Sequence, residues 1–222
     1  MILPRARGLL LDLDGTLLDT AQDMVGALNA LLAEEDRPAI AFDSARPQVS
    51  HGAKALVRLG FGEDDPVDFE RRRLRFLALY EQNVCVHTCL FDGYAQLFEQ
   101  LQKAQIPWGI VTNKPTHLTL PLVRAFAFDK QTHCVVCGDT FPERKPHPRP
   151  MLHAAQLLGL PPQAILYVGD AKRDIDAGRA AGMRTVVASF GYFGADENPQ
   201  HWAADGIIHH ALDLRAWLDL PQ

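Results

Sequence analysis

The chain has little of what marks membrane, nucleic-acid-binding or disulfide-built proteins. None of its apolar runs approaches the ~20 residues that a membrane-crossing helix needs. Met1 to Gly8 is too short and too polar to read as a secretory signal. Its 22 lysines and arginines are outnumbered by 27 aspartates and glutamates, for a formal charge of −5. Nucleic acid is therefore not expected as a partner, because a phosphate backbone demands clustered positive surface. Only four cysteines occur in 222 residues, too few for a disulfide framework, which fits a reducing, cytoplasmic location. Cys85 with Cys89, and Cys134 with Cys137, invite a zinc reading. The second pair lies in a β-branched run that reads as a strand, however, where residues three apart face opposite sides. The thiols are expected to act as small buried hydrophobes. There is no internal repeat and no low-complexity tract.

What is present is a large apolar share, 47% of residues, enough for a full α/β core and a small second domain. Strand-like apolar runs recur at 8–13, 108–112, 134–137, 165–168 and 185–188. Helical periodicity fills the later intervals, at 94–104, 118–128, 148–158 and from 171 to the glycine at 182. Such alternation predicts a doubly wound parallel sheet. The first interval breaks the pattern. Residues 19–88 show only helical periodicity, in segments 21–34, 53–59 and 67–83. A crossover needs one helix, so about 70 residues of helix predict an inserted all-helical cap domain, with a core made of 1–18 and 89–222.

The chemistry is concentrated at predicted strand ends. Asp12-Leu13-Asp14-Gly15-Thr16 follows the first run, and carboxylates at i and i+2 leave a strand toward the same side. In open α/β sheets ligands bind at that edge. An aspartate nucleophile beside a second aspartate suits phosphoryl transfer through an aspartyl-phosphate. Thr112 and Asn113 end the second long run, Lys145 precedes a helix, and Gly169-Asp170 ends a later run with Asp174 four residues on. Together they offer a nucleophile, an acid–base carboxylate, oxyanion donors, a cation and ligands for a hard metal.

These motifs, in this order and across essentially the whole chain, resemble the haloacid dehalogenase superfamily of phosphatases with a helical cap. The resemblance implies a Rossmann-like core, Mg²⁺ as cofactor and a small phosphate monoester as substrate. Asp12 would be nucleophile and metal ligand. Asp14 would protonate the leaving group, activate the hydrolytic water and lend its main-chain carbonyl to the metal. Thr112 and the Asn113 amide would bind phosphoryl oxygens, and Lys145 would neutralise charge between nucleophile and phosphoryl group. Asp170 would be the second metal carboxylate, with Asp174 supporting the metal through water or from behind its ligands. Dehalogenases lack an aspartate at the position of Asp14, and transport ATPases carry threonine, so the residue implies a phosphatase or a sugar phosphomutase. Within the superfamily, Val111-Thr112-Asn113-Lys114-Pro115 and Lys145-Pro146-His147-Pro148 resemble the phosphoglycolate phosphatase branch. Gly191-Tyr192, Asn198-Pro199, Trp202 and Ala204-Asp205 resemble N-acetylmuramic acid 6-phosphate phosphatases. Both substrates carry a carboxylate, which Arg46 or His51 of the cap is expected to read.

Blander readings stand beside these. Asp170 and Asp174 also suit an N-cap and a first-turn acid of the following helix. Ser50 suits an ordinary N-cap as well as a substrate-facing loop. Arg71, Arg72, Arg73 and Arg75 read as a solvated rim rather than a partner patch. Lys114 and Arg144 compete with Lys145 for the catalytic cation, and Asp139 fits a loop-structuring role as well as a catalytic one. A non-catalytic phosphometabolite binder would have no use for Asp14. Oligomeric state has no signature in the sequence.

Overall fold

A computed structural model describes residues 5–63, 65–194 and 197–220; the ends of the expected core range, 1–4 and 221–222, lie outside them. The sheet grows from the apolar runs. β1 (Gly8–Leu11), β4 (Trp108–Val111), β5 (Cys134–Val136), β6 (Ile165–Gly169), β7 (Arg184–Ala188) and β8 (Gly206–Ile208) form a six-stranded sheet in the order β5-β4-β1-β6-β7-β8. Every pairing in it is parallel. β1 and β6 are buried throughout, because helices cover both faces.

Strand alternation sorts the core into two layers. Leu9, Leu11, Ile110, Leu166 and Val168 face Leu97, Phe98 and Leu101 of α5 (Tyr94–Ala104) and Leu122 of α6 (Thr116–Ala125). Leu10, Val111 and Tyr167 face Met151, Ala154 and Leu158 of α7 (Arg149–Leu158) and Ala177 of α8 (Lys172–Ala180). Cys134 is one of this second layer, and burial pushes its thiol up to about 12, as expected of an inert, packed cysteine. β8 is missing from the sequence reading: three residues give no periodicity, and Trp217 fixes the strand from outside by packing against Gly206.

Between the ribbon residues at their ends, the regular elements among the described residues of 19–88 are helices. α1 (Ala21–Glu34), α2 (Phe42–Ala45), α3 (Gly52–Phe61) and α4 (Pro66–Gln82) share a core of Leu28, Leu31, Leu56, Val57, Phe76 and Leu79. Leu118 and Tyr192 of the sheet domain enter the same cluster. The arginine run is spent inside this layer. Arg71 and Arg72 pair with Glu35, Arg75 with Glu34 and Arg73 with Glu70, stitching α4 to α1 and to itself. No helix among the described residues is long and apolar enough to cross a membrane.

Both connections to the helical layer run through a two-stranded antiparallel ribbon, β2 (Leu18–Asp19) and β3 (Cys89–Leu90). Buried Asp23 of α1 ties the returning connection: its carboxylate accepts from the backbone N–H groups of Val86, His87 and Thr88 and from the Thr88 hydroxyl at 2.7–3.1 Å. Removing it strands four donors at once, the two of Thr88 buried. Asp23→Ala should cost about 2–4 kcal/mol in urea unfolding at unchanged slope. A loss below about 1 kcal/mol would mean that water replaces the carboxylate.

Candidate active site

Asp12 leaves β1 at the carboxyl edge of the sheet, its N–H still on the Val168 carbonyl at 2.9 Å. Leu13 and Asp14 then enter a tight turn that Gly15 closes with φ +80°; a side chain there would collide with Asp170. β6 ends beside it and delivers Asp170, while Asp174 sits in the first turn of α8. Carboxylate oxygens of Asp12, Asp170 and Asp174 come within 4.8 Å of one another, all buried.

Three carboxylates in one buried volume need positive charge. Lys145, 3% exposed and joined to Pro146 by a cis peptide, supplies one ammonium, 2.8 Å from Asp12 Oδ1 and 2.7 Å from Asp174 Oδ1. It also donates to the Val111 carbonyl and the Tyr167 hydroxyl, each at 2.9 Å. The charge is unevenly shared. Burial raises Asp174 less than Lys145, Arg173 and the Ala171 N–H lower it, so it stays below the ordinary carboxylate range. Asp12 is pushed up to about 6 by burial and by the charge of Asp174. Asp170, which lacks the lysine, is pushed up to about 7 by burial and by its two acidic neighbours. Oxygen-only donors under this mutual repulsion suit a hard divalent cation. Asp174 also gives one oxygen to Lys145 and the other to the Ala171 N–H at 3.0 Å, which leaves it acceptor capacity for a cation or for a water on one.

The blander readings of the two residues fare differently. The N-cap of α8 is Ala171 rather than Asp170, and Asp174, though it bonds back to that cap, is fully buried rather than solvated. Asp139 is loop-structuring: it accepts from the N–H and hydroxyl of Thr116 at the start of α6.

The remaining expected residues divide. Thr112 is buried at the end of β4, and with Asp12 and Asp14 it lines a cleft of about 730 Å³ between sheet and helical layer. Asn113 lines it too, but its carboxamide is largely committed to Lys145: Nδ2 donates to the Lys145 carbonyl at 3.0 Å, and Oδ1 accepts the Lys145 N–H at 3.1 Å. One Nδ2 hydrogen and the main chain are left for substrate. His51 reaches the cleft wall, half-exposed and 3.7 Å from Glu197. Arg46 does not. Its guanidinium donates to the carbonyls of Gly191 and Phe190 at 3.2 and 3.1 Å and lies over the Tyr192 ring, docking the helical layer to the sheet domain instead of facing substrate.

Several residues here take partners that the sequence did not signal. Ser50 is not the N-cap of α3, a position held by His51; its hydroxyl crosses to Asp170 Oδ2 at 2.5 Å, and its carbonyl accepts from Arg173 at 2.7 Å. Lys114 lies 2.8 Å from Asp14 Oδ1 and donates to the Tyr80 hydroxyl at 2.8 Å. Burial opposes that ammonium, but Asp14 and Tyr80 outweigh it and hold Lys114 above the ordinary lysine range. Thr20 donates to the same oxygen of Asp14 at 2.7 Å. Tyr192 gives its N–H to Asp170, while its hydroxyl accepts from the N–H groups of Thr20 and Ala21 and donates to Asp19.

Comparison with known proteins follows the same line. Residues 9–188 match the family model of the haloacid dehalogenase-like hydrolases. The chain belongs to this family. It is 40% identical over 216 residues to an N-acetylmuramic acid 6-phosphate phosphatase of Pseudomonas putida, covering 97% of each chain. It is 41% identical over 208 residues to a phosphoglycolate phosphatase of Xanthomonas campestris pv. campestris, covering 94% of each. The crystal structure of a predicted phosphoglycolate phosphatase from Haemophilus somnus superposes with a TM-score of 0.85 at 26% identity, covering 96% of this chain and 97% of that one. This haloacid dehalogenase-like hydrolase is thus a phosphatase, a phosphoric monoester hydrolase.

The raised carboxylates set a pH dependence of known sign. Asp12 and Asp170 ionise in the unfolded chain near 3.8 but in the fold near 6 and 7, so their contribution is complete below the unfolded value and is lost as pH rises through the folded ones. Metal-free protein should therefore melt several degrees lower at about pH 7.5 than at about pH 5. Added Mg²⁺ should raise the midpoint more at the higher pH. An equal midpoint at both, with no Mg²⁺ response, would mean that the three carboxylates do not hold a cation.

Proposed function

We propose that this phosphatase is Mg²⁺-dependent and works through an aspartyl-phosphate on Asp12. The observation that carries the reading is the buried Asp12–Lys145–Asp174 arrangement with Asp170 beside it, opening on the cleft where Asp14 stands. Asp12 attacks phosphorus while Lys145 balances the charge of nucleophile and phosphoryl oxygens. The Thr112 hydroxyl and the main chain at Asn113 hold a phosphoryl oxygen. Asp14 gives its proton to the departing alkoxide, then takes one from the water that cleaves the acyl phosphate. Asp12, Asp170 and the Asp14 carbonyl, with Asp174 behind them, would hold Mg²⁺, whose chemistry is to neutralise and orient the phosphoryl group.

The cleft favours a substrate with a body. Its volume of about 730 Å³ and its wall of Met24, Val49, Phe76, Leu77 and Leu118 suit a sugar-sized ligand. A two-carbon acid phosphate would leave most of that wall wet. His51, Lys54 and Arg144 line the same cleft and suit a second anionic group. A carboxylated amino-sugar phosphate, N-acetylmuramic acid 6-phosphate, meets both demands. Phosphoglycolate is the second reading, favoured by the identity to the Xanthomonas relative. We take residues 19–88 as the cap and 1–18 with 89–222 as the core, with hinges at the β2–β3 ribbon that let the cap open and shut over the acyl phosphate. The setting proposed is the cytoplasm, in keeping with four free thiols.

Phosphate release over a substrate panel tests the reading. N-acetylmuramic acid 6-phosphate should exceed phosphoglycolate in kcat/KM by at least about tenfold, and chelation with EDTA should stop both. Faster turnover of phosphoglycolate would reverse the substrate assignment, and full activity after thorough chelation would remove the metal. Asp12→Asn should lower kcat by about a thousandfold or more with the fold intact; more than about a tenth of parental rate would disqualify Asp12 as nucleophile.

His51→Ala should raise KM for the carboxylated sugar phosphate by about tenfold or more and spare p-nitrophenyl phosphate, which has no carboxylate to recognise. Equal effects on the two substrates would make His51 structural.

A further inference from the structure

Asp14 receives two donors on the same oxygen. Lys114 Nζ and the Thr20 hydroxyl approach Oδ1 at 2.8 and 2.7 Å. A carboxylate pinned through one oxygen has its rotamer decided, and its other oxygen is the one left to turn toward the cleft. Lys114 is itself rigidly placed. Its N–H donates to the Thr112 hydroxyl at 3.1 Å, and its carbonyl accepts from the Gly138 N–H at 2.9 Å and the Thr119 hydroxyl at 3.2 Å. The side chain is 5% exposed.

The ammonium is completed from the other side of the cleft. Tyr80 of α4 accepts from Lys114 Nζ at 2.8 Å, and the same nitrogen lies 4.5 Å from the Tyr80 ring centroid. Tyr80 is fully buried and stacks on Phe76 within the helical layer. The chain of contacts thus runs from a helix of the proposed cap, through a core lysine, to the carboxylate that would handle the leaving-group proton. Opening the cleft would strip Lys114 of its hydroxyl partner and its aromatic face together.

We propose that Lys114 is a positioning residue for Asp14, and that Tyr80 completes it only when the helical layer is closed over the sheet domain. The inference rests on the acid–base reading of Asp14 given above. It assigns the phosphatase a device that aligns its proton-handling group when substrate is enclosed and leaves that group poorly aligned in an open cleft. Neither Lys114 nor Tyr80 bonds to the reacting phosphoryl group in this scheme; both act through Asp14.

Leaving-group dependence separates this role from simpler ones. The measurement is log kcat/KM against leaving-group pKa for a series of aryl and alkyl phosphates, with Mg²⁺ present, on the intact chain. Asp14→Asn is the reference and should steepen the slope, since poor leaving groups depend most on a proton. Lys114→Met should steepen it nearly as much, losing about a hundredfold on the poorest leaving group and about tenfold or less on p-nitrophenyl phosphate. Tyr80→Phe keeps the ring and the packing; it should steepen the slope by a smaller amount at unchanged melting temperature. The double variant should be no worse than Lys114→Met alone, as expected of groups acting in series. A uniform loss across the series, a change confined to KM, or additive effects of the two substitutions would overturn the proposal. An unaltered slope in Asp14→Asn would instead overturn the acid–base reading, and this proposal with it.

Discussion

Like charges confined to a low-dielectric space repel strongly, and a protein that gathers them must bring in cations or protons. Asp12, Asp170 and Asp174 meet this constraint at the edge of the sheet, and much of the architecture answers it. Lys145 is threaded down to two of them and tied by the Val111 carbonyl and the Tyr167 hydroxyl. Asn113 clamps the backbone of Lys145 from both sides, which keeps the ammonium in register with Asp12. The lysine is shared by Asp12 and Asp174, so Asp170 carries the unmet demand. A hydroxyl from Ser50 and an N–H from Tyr192 relieve it only in part. The fold stores an appetite for a cation at the place where a phosphoryl group would be handled.

The same constraint explains why glycines crowd this point. A β-carbon at Gly15 or Gly191 would fall about 2 Å from an atom of Asp170, and one at Gly169 would meet Asp174. The backbone is allowed to touch the carboxylates because nothing else can be that small.

Legibility from sequence follows physical range. The strands around the site were readable because strands buried on both faces are continuous apolar runs, as in Gly8–Leu11 and Ile165–Gly169. The long helices α1 and α4 were readable from their periodicity. β8 and the β2–β3 ribbon were too short to carry a period. Among candidate site residues, those at strand ends, Asp12, Thr112 and Asp170, needed only the rule that parallel sheets bind ligands at one edge. Partners delivered across the fold could not be found that way. Ser50 lies 120 residues from Asp170, Lys114 lies 100 from Asp14 and Tyr192 lies 172 from Thr20. Arg46 is instructive in the other direction: a cation in the loop before α3 suggested an anionic ligand, yet peptide carbonyls and an aromatic ring satisfied it.

Tyr192 adds a constraint of another kind. Its hydroxyl is the common acceptor for the two peptide N–H groups where the chain passes into α1, and its own N–H rests on Asp170. The entry to the helical layer is therefore furnished partly by a residue more than 170 positions further along the chain. A graft that exchanges helical layers between relatives, cutting only at the two visible crossings, would separate a bearing from its socket. The exchangeable unit includes the short stretch from Phe190 to Tyr192, which holds Arg46 by two carbonyls and the entry turn by one oxygen.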